Sequence, residues 1–392
     1  MHDVIVVGAG PSGLNAAKIL TKKGLDVLVL EKKSEVGEHV ICAGIVGDEV
    51  FSKFHIPEES VLKKIKEIKI ISPRSSVICY EHPDPFAYVV DRERFDRSIA
   101  FNAGTVNIPI HCDSMVRDIV VEKDGVQVET GFNGRRDKKY RARVVLIATG
   151  VSYNLHKKLG LGYPRDFLHG VQAELDLGQM ECTHVYLGKS IATGAFAWLV
   201  PLGEGTVRIG LITENDPEGC FYRLMTQHFP CRLKNLDRNR IQFKPIAQGL
   251  ISRTFGDRVL TLGEAAGQVK TTTGGGIYFG LLCSELASRV LLEGYNRGDF
   301  SKNVLAEYEK LWKKALQKEI RFGYYTRKIC ARLSDGQIEK IFKFIQSDGI
   351  LPIVKEKGNF DWHSDLLLIL LKRIPFFQMF IHRSMGNADR EN

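Results

Sequence analysis

The stretch DVIVVGAGPSG, Asp3 to Gly13, limits the fold more than any other part of the chain. A short run rich in valine and isoleucine leads at once into GAGPSG, and LNAAKILTKKG follows with apolar residues at helical spacing. LDVLVLEK then reads as a second strand, so residues 1–32 form a βαβ unit that opens a parallel sheet. In such a unit Gly8 permits the tight turn, Gly10 lets the backbone approach a pyrophosphate, and Gly13 lets the helix pack on the strand. The helix N-terminus adds its positive dipole, and Ser12 in the first turn adds backbone and hydroxyl donors. Glu31, followed by Lys32, ends the second strand 18 residues beyond Gly13. An acid there accepts hydrogen bonds from the ribose of an unphosphorylated adenosine; the plainer reading is a surface charge at a strand end. The motif alone leaves FAD and NAD open.

Beyond this unit a polar connector runs from Gly37 to Gly47, and a lysine-rich segment, read as helical, leads to the strand KEIKIISP. VVDRERFDRSIAFNAG reads as a helix entered near Asp91. Asp124 and Gly125 separate two alternating runs and signal a hairpin, after which YRARVVLIATG returns to a buried strand. Between Gly170 and Phe243 the strands GVQAELDL, THVYLG, AFAWLVPLG and TVRIGLIT suggest a separate antiparallel sheet. RVLTLGEAAG is again a buried strand and glycine loop, and residues from Ser301 onward read as mostly helical. The expected division is discontinuous. Residues 1–72, 91–168 and 245–300 form a nucleotide-binding domain, 73–90 and 169–244 a second sheet domain, and 301–392 a helical region.

Composition narrows the class. With 392 residues, 44% hydrophobic and 26% charged, the chain reads as globular and long enough for two or three units. The excess of 55 basic over 46 acidic residues favours anionic partners or a solvated basic surface. Nucleic acid is disfavoured, because no DNA- or RNA-binding element is present and the basic residues are spread along the chain. Eight cysteines without a CxxC pair suggest reduced thiols in the cytoplasm, and no metal or iron–sulfur spacing is found. A strand beginning at His2 leaves no room for a targeting segment, and no run reaches the ~18 apolar residues of a spanning helix.

GAGPSG with Glu31, DRERFDR at Asp91 to Arg97, VVLIATG at Val144 to Gly150, and VLTLGEAAGQVKTTTGGGI together resemble the glutathione-reductase type of FAD fold in its hydroxybenzoate-hydroxylase-like branch. Within that branch CAG at Cys42 to Gly44, TTTGGGI at Thr271 to Ile277 and FAWLVP at Phe196 to Pro201 are similar to the geranylgeranyl reductase family, over residues 1 to about 300. The resemblance implies an α/β fold: a Rossmann-like FAD-binding domain interleaved with an antiparallel substrate-domain sheet, plus C-terminal helices. It implies FAD as cofactor and reduction of double bonds in a prenyl chain or lipid by hydride from reduced flavin. It also implies an external electron donor, ferredoxin or NAD(P)H.

The resemblance assigns roles residue by residue. Arg92 would contact the cofactor, or else pair with Asp96 or Glu93. The backbone at Val116 would meet the adenine, and Gly150 would end the strand beside the nucleotide. Cys42, Ala43 and Ile45 would lie along the flavin, with Cys42 as proton donor or as a small packing residue. Gly275, Gly276 and Ile277 would turn backbone amides toward the pyrimidine end of the flavin, or serve as a hinge. Glu264 stands where the family has Asp, a departure of one methylene in a ribityl contact. Phe196, Trp198 and Pro201 match part of an aromatic substrate motif, or form an ordinary strand. The segment Asp365 to Arg383, with Lys372, Arg373 and Arg383, would lie on a membrane surface or cap the substrate domain. Two rival functions keep the flavin: a monooxygenase or halogenase of the same fold, and an electron-transfer flavoprotein.

Overall fold

DVIVVG forms the central strand of a parallel sheet. His2–Val7 pairs in parallel with Val27–Leu30 on one side and with Arg135–Ile147 on the other. Val4, Ile5 and Val6 are fully buried, as expected of a strand covered on both faces. The computed structural model describes residues 1–101, 107–132, 135–233, 236–347 and 349–373. Among these, the strand order is Phe255–Gly256, Val259–Thr261, Arg135–Ile147, His2–Val7, Val27–Leu30, Ile110–His111.

Arg135–Ile147 changes partner along its length. Its first half pairs antiparallel with Val126–Phe132, and from Ala142 onward it runs parallel to the first strand. Val116–Val121 completes the hairpin through Asp124 and Gly125, closed by Glu122 N–H donating to the Gly125 carbonyl at 2.8 Å. On the sheet, Pro11–Lys22 packs against the long helix Ile277–Arg297, where buried Asn15 Nδ2 donates to buried Ser284 Oγ at 2.7 Å. A Cβ on Gly280 would collide with Ser12 Oγ, so this glycine sets how closely the two helices approach.

Contacts divide the chain into two units. The first comprises Met1–Lys63, Tyr88–Leu168 and Lys244–Tyr324; the second comprises Lys64–Ala87, His169–Phe243 and the chain from Tyr325. The strand Glu67–Ile71 counts with the second unit because it pairs in parallel with Thr183–Leu187 and antiparallel with Val77–Glu81.

The second sheet orders Gln242–Gln248, Asp166–Asp176, Thr206–Thr213, Phe196–Gly203, Thr183–Leu187, Glu67–Ile71, Val77–Glu81. The helix Pro217–His228, not anticipated from the alternating pattern, covers one face with Cys220, Phe221, Leu224 and Met225. Asp216 caps it by accepting from Gly219 N–H at 3.0 Å.

One local expectation is corrected. The lysine-rich segment is not a continuous helix: Glu49–Phe54 is helical, but Lys63 and Lys64 lie in the strand Val61–Ile65. His55 stops the helix with a left-handed φ of 51°, and Pro57 continues in extended backbone. At the other end of the chain Ser364–Arg373 is helical, with Leu371 buried and Lys372 and Arg373 exposed. Arg383 and the rest of that apolar segment lie outside the described residues. Among the described residues no helix is long and apolar enough to cross a membrane.

Candidate cofactor and active site

The first glycine loop has the shape its sequence implies. Gly8 has φ +108°, and a Cβ there would lie 2.5 Å from the Ala148 carbonyl oxygen. A Cβ on Gly13 would collide with the Gly8 carbonyl, so strand, turn and helix are in direct backbone contact. At Gly10, by contrast, nothing lies within 4 Å of a built Cβ. Gly10 is the N-cap of Pro11–Lys22, which has no side-chain cap and no acidic residue in its first turn. The leading amides are thus left to an anion.

Glu31 is buried to 8% exposure, and both its oxygens are fixed by backbone: Ala9 N–H at 2.7 Å and Lys33 N–H at 3.0 Å. Each carboxylate oxygen keeps a lone pair for a ribose hydroxyl. Lys32 beside it is exposed. Ser114 N–H donates to the Glu31 carbonyl at 2.7 Å, and Val116 opens the next strand two residues later.

The second loop meets the first. Gly263, with φ +69°, has Ser12 Oγ 2.8 Å from its built Cβ position, so the hydroxyl of the first helical turn lies against GEAAG. Buried Gln268 holds this loop from below: its Oε1 accepts Gly263 N–H at 2.7 Å and its Nε2 donates to Tyr308 Oη at 2.9 Å. Tyr153 Oη donates to the Glu264 carbonyl at 3.2 Å, and the Glu264 side chain approaches Gly150. After a turn closed by Lys270 N–H to the Gly275 carbonyl at 2.8 Å, Gly276 caps Ile277–Arg297 without a side-chain cap. Two uncapped helix starts, an anchored ribose acceptor and a gap at Gly10 fit a dinucleotide reaching from the first loop to the second.

The connector after Glu31 brings in the reactive groups. Cys42 is half-buried, and Gly44 N–H donates to its sulfur at 3.3 Å. Arg92, at the start of the helix Arg92–Phe101, acts on this sulfur with its positive charge. Arg92 Nη2 lies 2.9 Å from Asp96 Oδ1, and Nε lies 3.3 Å from the same oxygen. The two sequence readings of Arg92 are therefore not exclusive: it is paired with Asp96 and still faces the site. Burial works to raise the Cys42 thiol, but Arg92, the Gly44 amide and Lys244 outweigh it and hold the thiol below its usual range. Ile45 begins the short strand Ile45–Gly47, and the preceding Gly44 carbonyl accepts Val90 N–H at 2.7 Å.

Phe196, Trp198 and Pro201 belong to the second unit, on the strand Phe196–Gly203. They do not share a face. Phe196 and Trp198 point to one side, and Pro201, three residues on and paired with core Val207, to the other. The Trp198 indole lies over Gly210, whose built Cβ would come 2.5 Å from Trp198 Cζ2.

Sequence reasoning missed Lys244, Gln268 and Tyr153, because each acts through a partner brought close only by the fold. Among the described residues no cluster suited to a metal ion occurs.

Comparison with known proteins agrees with this geometry. The pyridine nucleotide-disulphide oxidoreductase family matches residues 5–169. The digeranylgeranylglycerophospholipid reductase 2 of Methanothermobacter thermautotrophicus is 29% identical over 90% of this chain and 94% of its own. A geranylgeranyl bacteriochlorophyll reductase-like protein of Thermoplasma acidophilum has the same fold, with TM-score 0.81 and 22% identity over 94% of this chain and 99% of its own. A flavin-dependent brominase shares the fold at TM-score 0.71 and 16% identity over the whole of both chains. With the two glycine loops and the Glu31 anchor, these likenesses mark the chain as a FAD-dependent oxidoreductase, similar in sequence to a protein named as a digeranylgeranylglycerophospholipid reductase.

Proposed function

We propose that the protein reduces carbon–carbon double bonds in the prenyl chain of an apolar lipid. The reading draws on the likeness to a relative named for such a reduction, and the observation that carries it is Cys42, a half-buried thiol held by Arg92 and the Gly44 amide. Reduced FAD supplies the hydride. Cys42 supplies the proton, and Arg92 and the Gly44 amide stabilise the negative sulfur that remains. An isolated alkene has no carbonyl to polarise, so the protein must otherwise act by orienting the chain and excluding water.

We assign FAD binding to Gly8, Gly10, Ser12, Gly13, Glu31, Gly150, Glu264, Gly275, Gly276 and Ile277, within the first unit. Phe196 and Trp198 are assigned to substrate by resemblance. An external donor, ferredoxin or NAD(P)H, returns electrons to the flavin. We assign it to the cytoplasm from its cysteines without a CxxC pair, in peripheral contact with the membrane that would hold a lipid substrate.

The test is anaerobic incubation of chemically reduced holoenzyme with a geranylgeranyl lipid, followed by mass spectrometry. Products should gain hydrogens in pairs, and Cys42→Ala should slow the reaction by about 100-fold or more, the range for loss of a positioned acid. Unchanged lipid, with NAD(P)H-driven oxygen consumption instead, would overturn the proposal in favour of a monooxygenase or halogenase.

A further inference from the structure

Two of the segments assigned to FAD are joined by one hydroxyl that belongs to neither motif. Gly276 and Ile277 lead into the helix Ile277–Arg297, and Tyr278 is the second residue of that helix. Cys42, Ala43 and Ile45 lie in the connector, which passes through the strand Ile45–Gly47 into the short helix Glu49–Phe54. Tyr278 Oη donates to Glu49 Oε2 at 2.7 Å and accepts from Lys53 Nζ at 3.1 Å. The hydroxyl therefore stands between a carboxylate and an ammonium four residues apart on one helix, a spacing at which such groups ordinarily pair with each other. Hydrogen bonds with a charged group at one end are the stronger kind, and this hydroxyl makes two.

The ring is held as closely as the hydroxyl. Tyr278 is 3% exposed, its ring meets Phe54 edge-on with centroids 5.6 Å apart, and Lys53 Nζ lies 5.2 Å from the ring centre. A phenylalanine would keep the contact with Phe54, so what the hydroxyl adds is direction: it sets where the short helix stands against the start of the long one. The short helix is also tied at its other end, where buried Lys18 Nζ donates to the Phe54 carbonyl at 3.4 Å. Lys18 belongs to Pro11–Lys22, the helix that follows the first glycine loop. Glu49–Phe54 is thus bonded to both helices that begin at a glycine loop, and all of these residues belong to the first unit.

We propose that Tyr278 is a positioning residue for the flavin: its hydroxyl holds the connector that carries Cys42 against the helix start behind Gly276, so that both are in place before FAD binds. The inference rests on the assignment of these two segments to FAD. A site ordered in advance loses less freedom on binding. Reduced flavin carries negative charge at its pyrimidine end, where the positive end of the helix dipole would meet it, so slack at this helix start weakens the reduced form more than the oxidised one.

The test compares Tyr278→Phe with the parent, as full chains, by FAD titration and by the midpoint potential of bound FAD. The variant should bind oxidised FAD about tenfold more weakly, as for loss of a hydrogen bond to a charged group. Its midpoint potential should fall, because reduced FAD loses more affinity than oxidised. Glu49→Gln keeps an acceptor for the hydroxyl and should hold most of the affinity, whereas Glu49→Leu should behave like Tyr278→Phe. The two losses act on one bond, so the double variant should be little worse than either single one. Should Tyr278→Phe not fold, Glu49→Leu reads the same bond from its other end. A lower melting temperature without FAD, at parental affinity and potential, would make the hydroxyl a brace of the fold alone and overturn the proposal, as would losses that simply add. Failure of the parent itself to bind FAD would refute the cofactor assignment instead. Neither measurement needs an alkene, so both are independent of lipid reduction.

Discussion

His156 is wholly buried in the short helix Asn154–Lys158, with Nε2 3.2 Å from Thr261 Oγ1, and so ties the turn after Gly150 to the strand that enters GEAAG. Burial lowers its pKa to about 4, against a weaker opposing contribution from the Ala265 backbone. In the unfolded chain the same ring titrates near ~6.5. As pH falls through the window between these values the unfolded state binds a proton that the folded state does not. Stability is therefore present above about pH 6.5 and is lost progressively toward about pH 4, by about 3 kcal/mol at most. Urea denaturation at neutral pH and near pH 4.5 measures the loss. His156→Gln should flatten that part of the pH dependence; equal slopes in variant and parent would show that His156 is not its source.

At the scale of elements the second sheet depends on a missing side chain. Gly210 lies in the strand Thr206–Thr213, where a built Cβ would be 2.5 Å from Trp198 Cζ2 and 2.7 Å from the Val171 carbonyl oxygen. Neither a bulky ring nor a paired backbone gives way easily, so Gly210→Ala should destabilise by about 1–3 kcal/mol. Adding Trp198→Leu should recover part of the loss in thermal unfolding, and full independence of the two changes would refute the packing account. In the sequence this glycine is one residue of the strand TVRIGLIT, and nothing there marks the ring packed on it. Local features were legible: the two glycine loops, the Asp124–Gly125 hairpin and Glu31 are each specified within a few residues. Lys63 and Lys64 were misread because two adjacent charged residues break the alternation of a strand and resemble a solvated helix until the stop at His55 is known. Pro201 was grouped with Trp198 because a motif records spacing, whereas a strand turns residues three apart to opposite faces. Lys244 and Gln268 left no signal, since their meaning comes from Glu264 and Tyr308 across the fold.

At the scale of the molecule, FAD is the ligand that gathers the first unit. The contacts proposed for it come from all three stretches of that unit: Gly10 and Glu31 from the first, Gly150 from the second, Glu264 and Gly276 from the third. A ligand that needs all three together binds the folded chain and not the unfolded one. Its effect on stability should then rise with the logarithm of free FAD, reaching about 2.7 kcal/mol at 100 times the dissociation constant. Glu31→Gln separates this linkage from the fold itself. The amide keeps the side chain's size and one acceptor oxygen but turns an NH₂ toward a donor and loses the charge that a ribose hydroxyl meets. Hydrogen bonds to a charged group contribute about 1.5–3 kcal/mol, so the variant should require roughly ten- to hundredfold more FAD for the same rise in melting temperature. Because Ala9 and Lys33 N–H groups also rely on this carboxylate, the FAD-free variant should itself melt slightly lower. Thermal melts across an FAD titration read both effects. Parallel curves displaced along the FAD axis support the ribose role, whereas a lowered FAD-free melting point with no displacement would assign Glu31 to the loop alone.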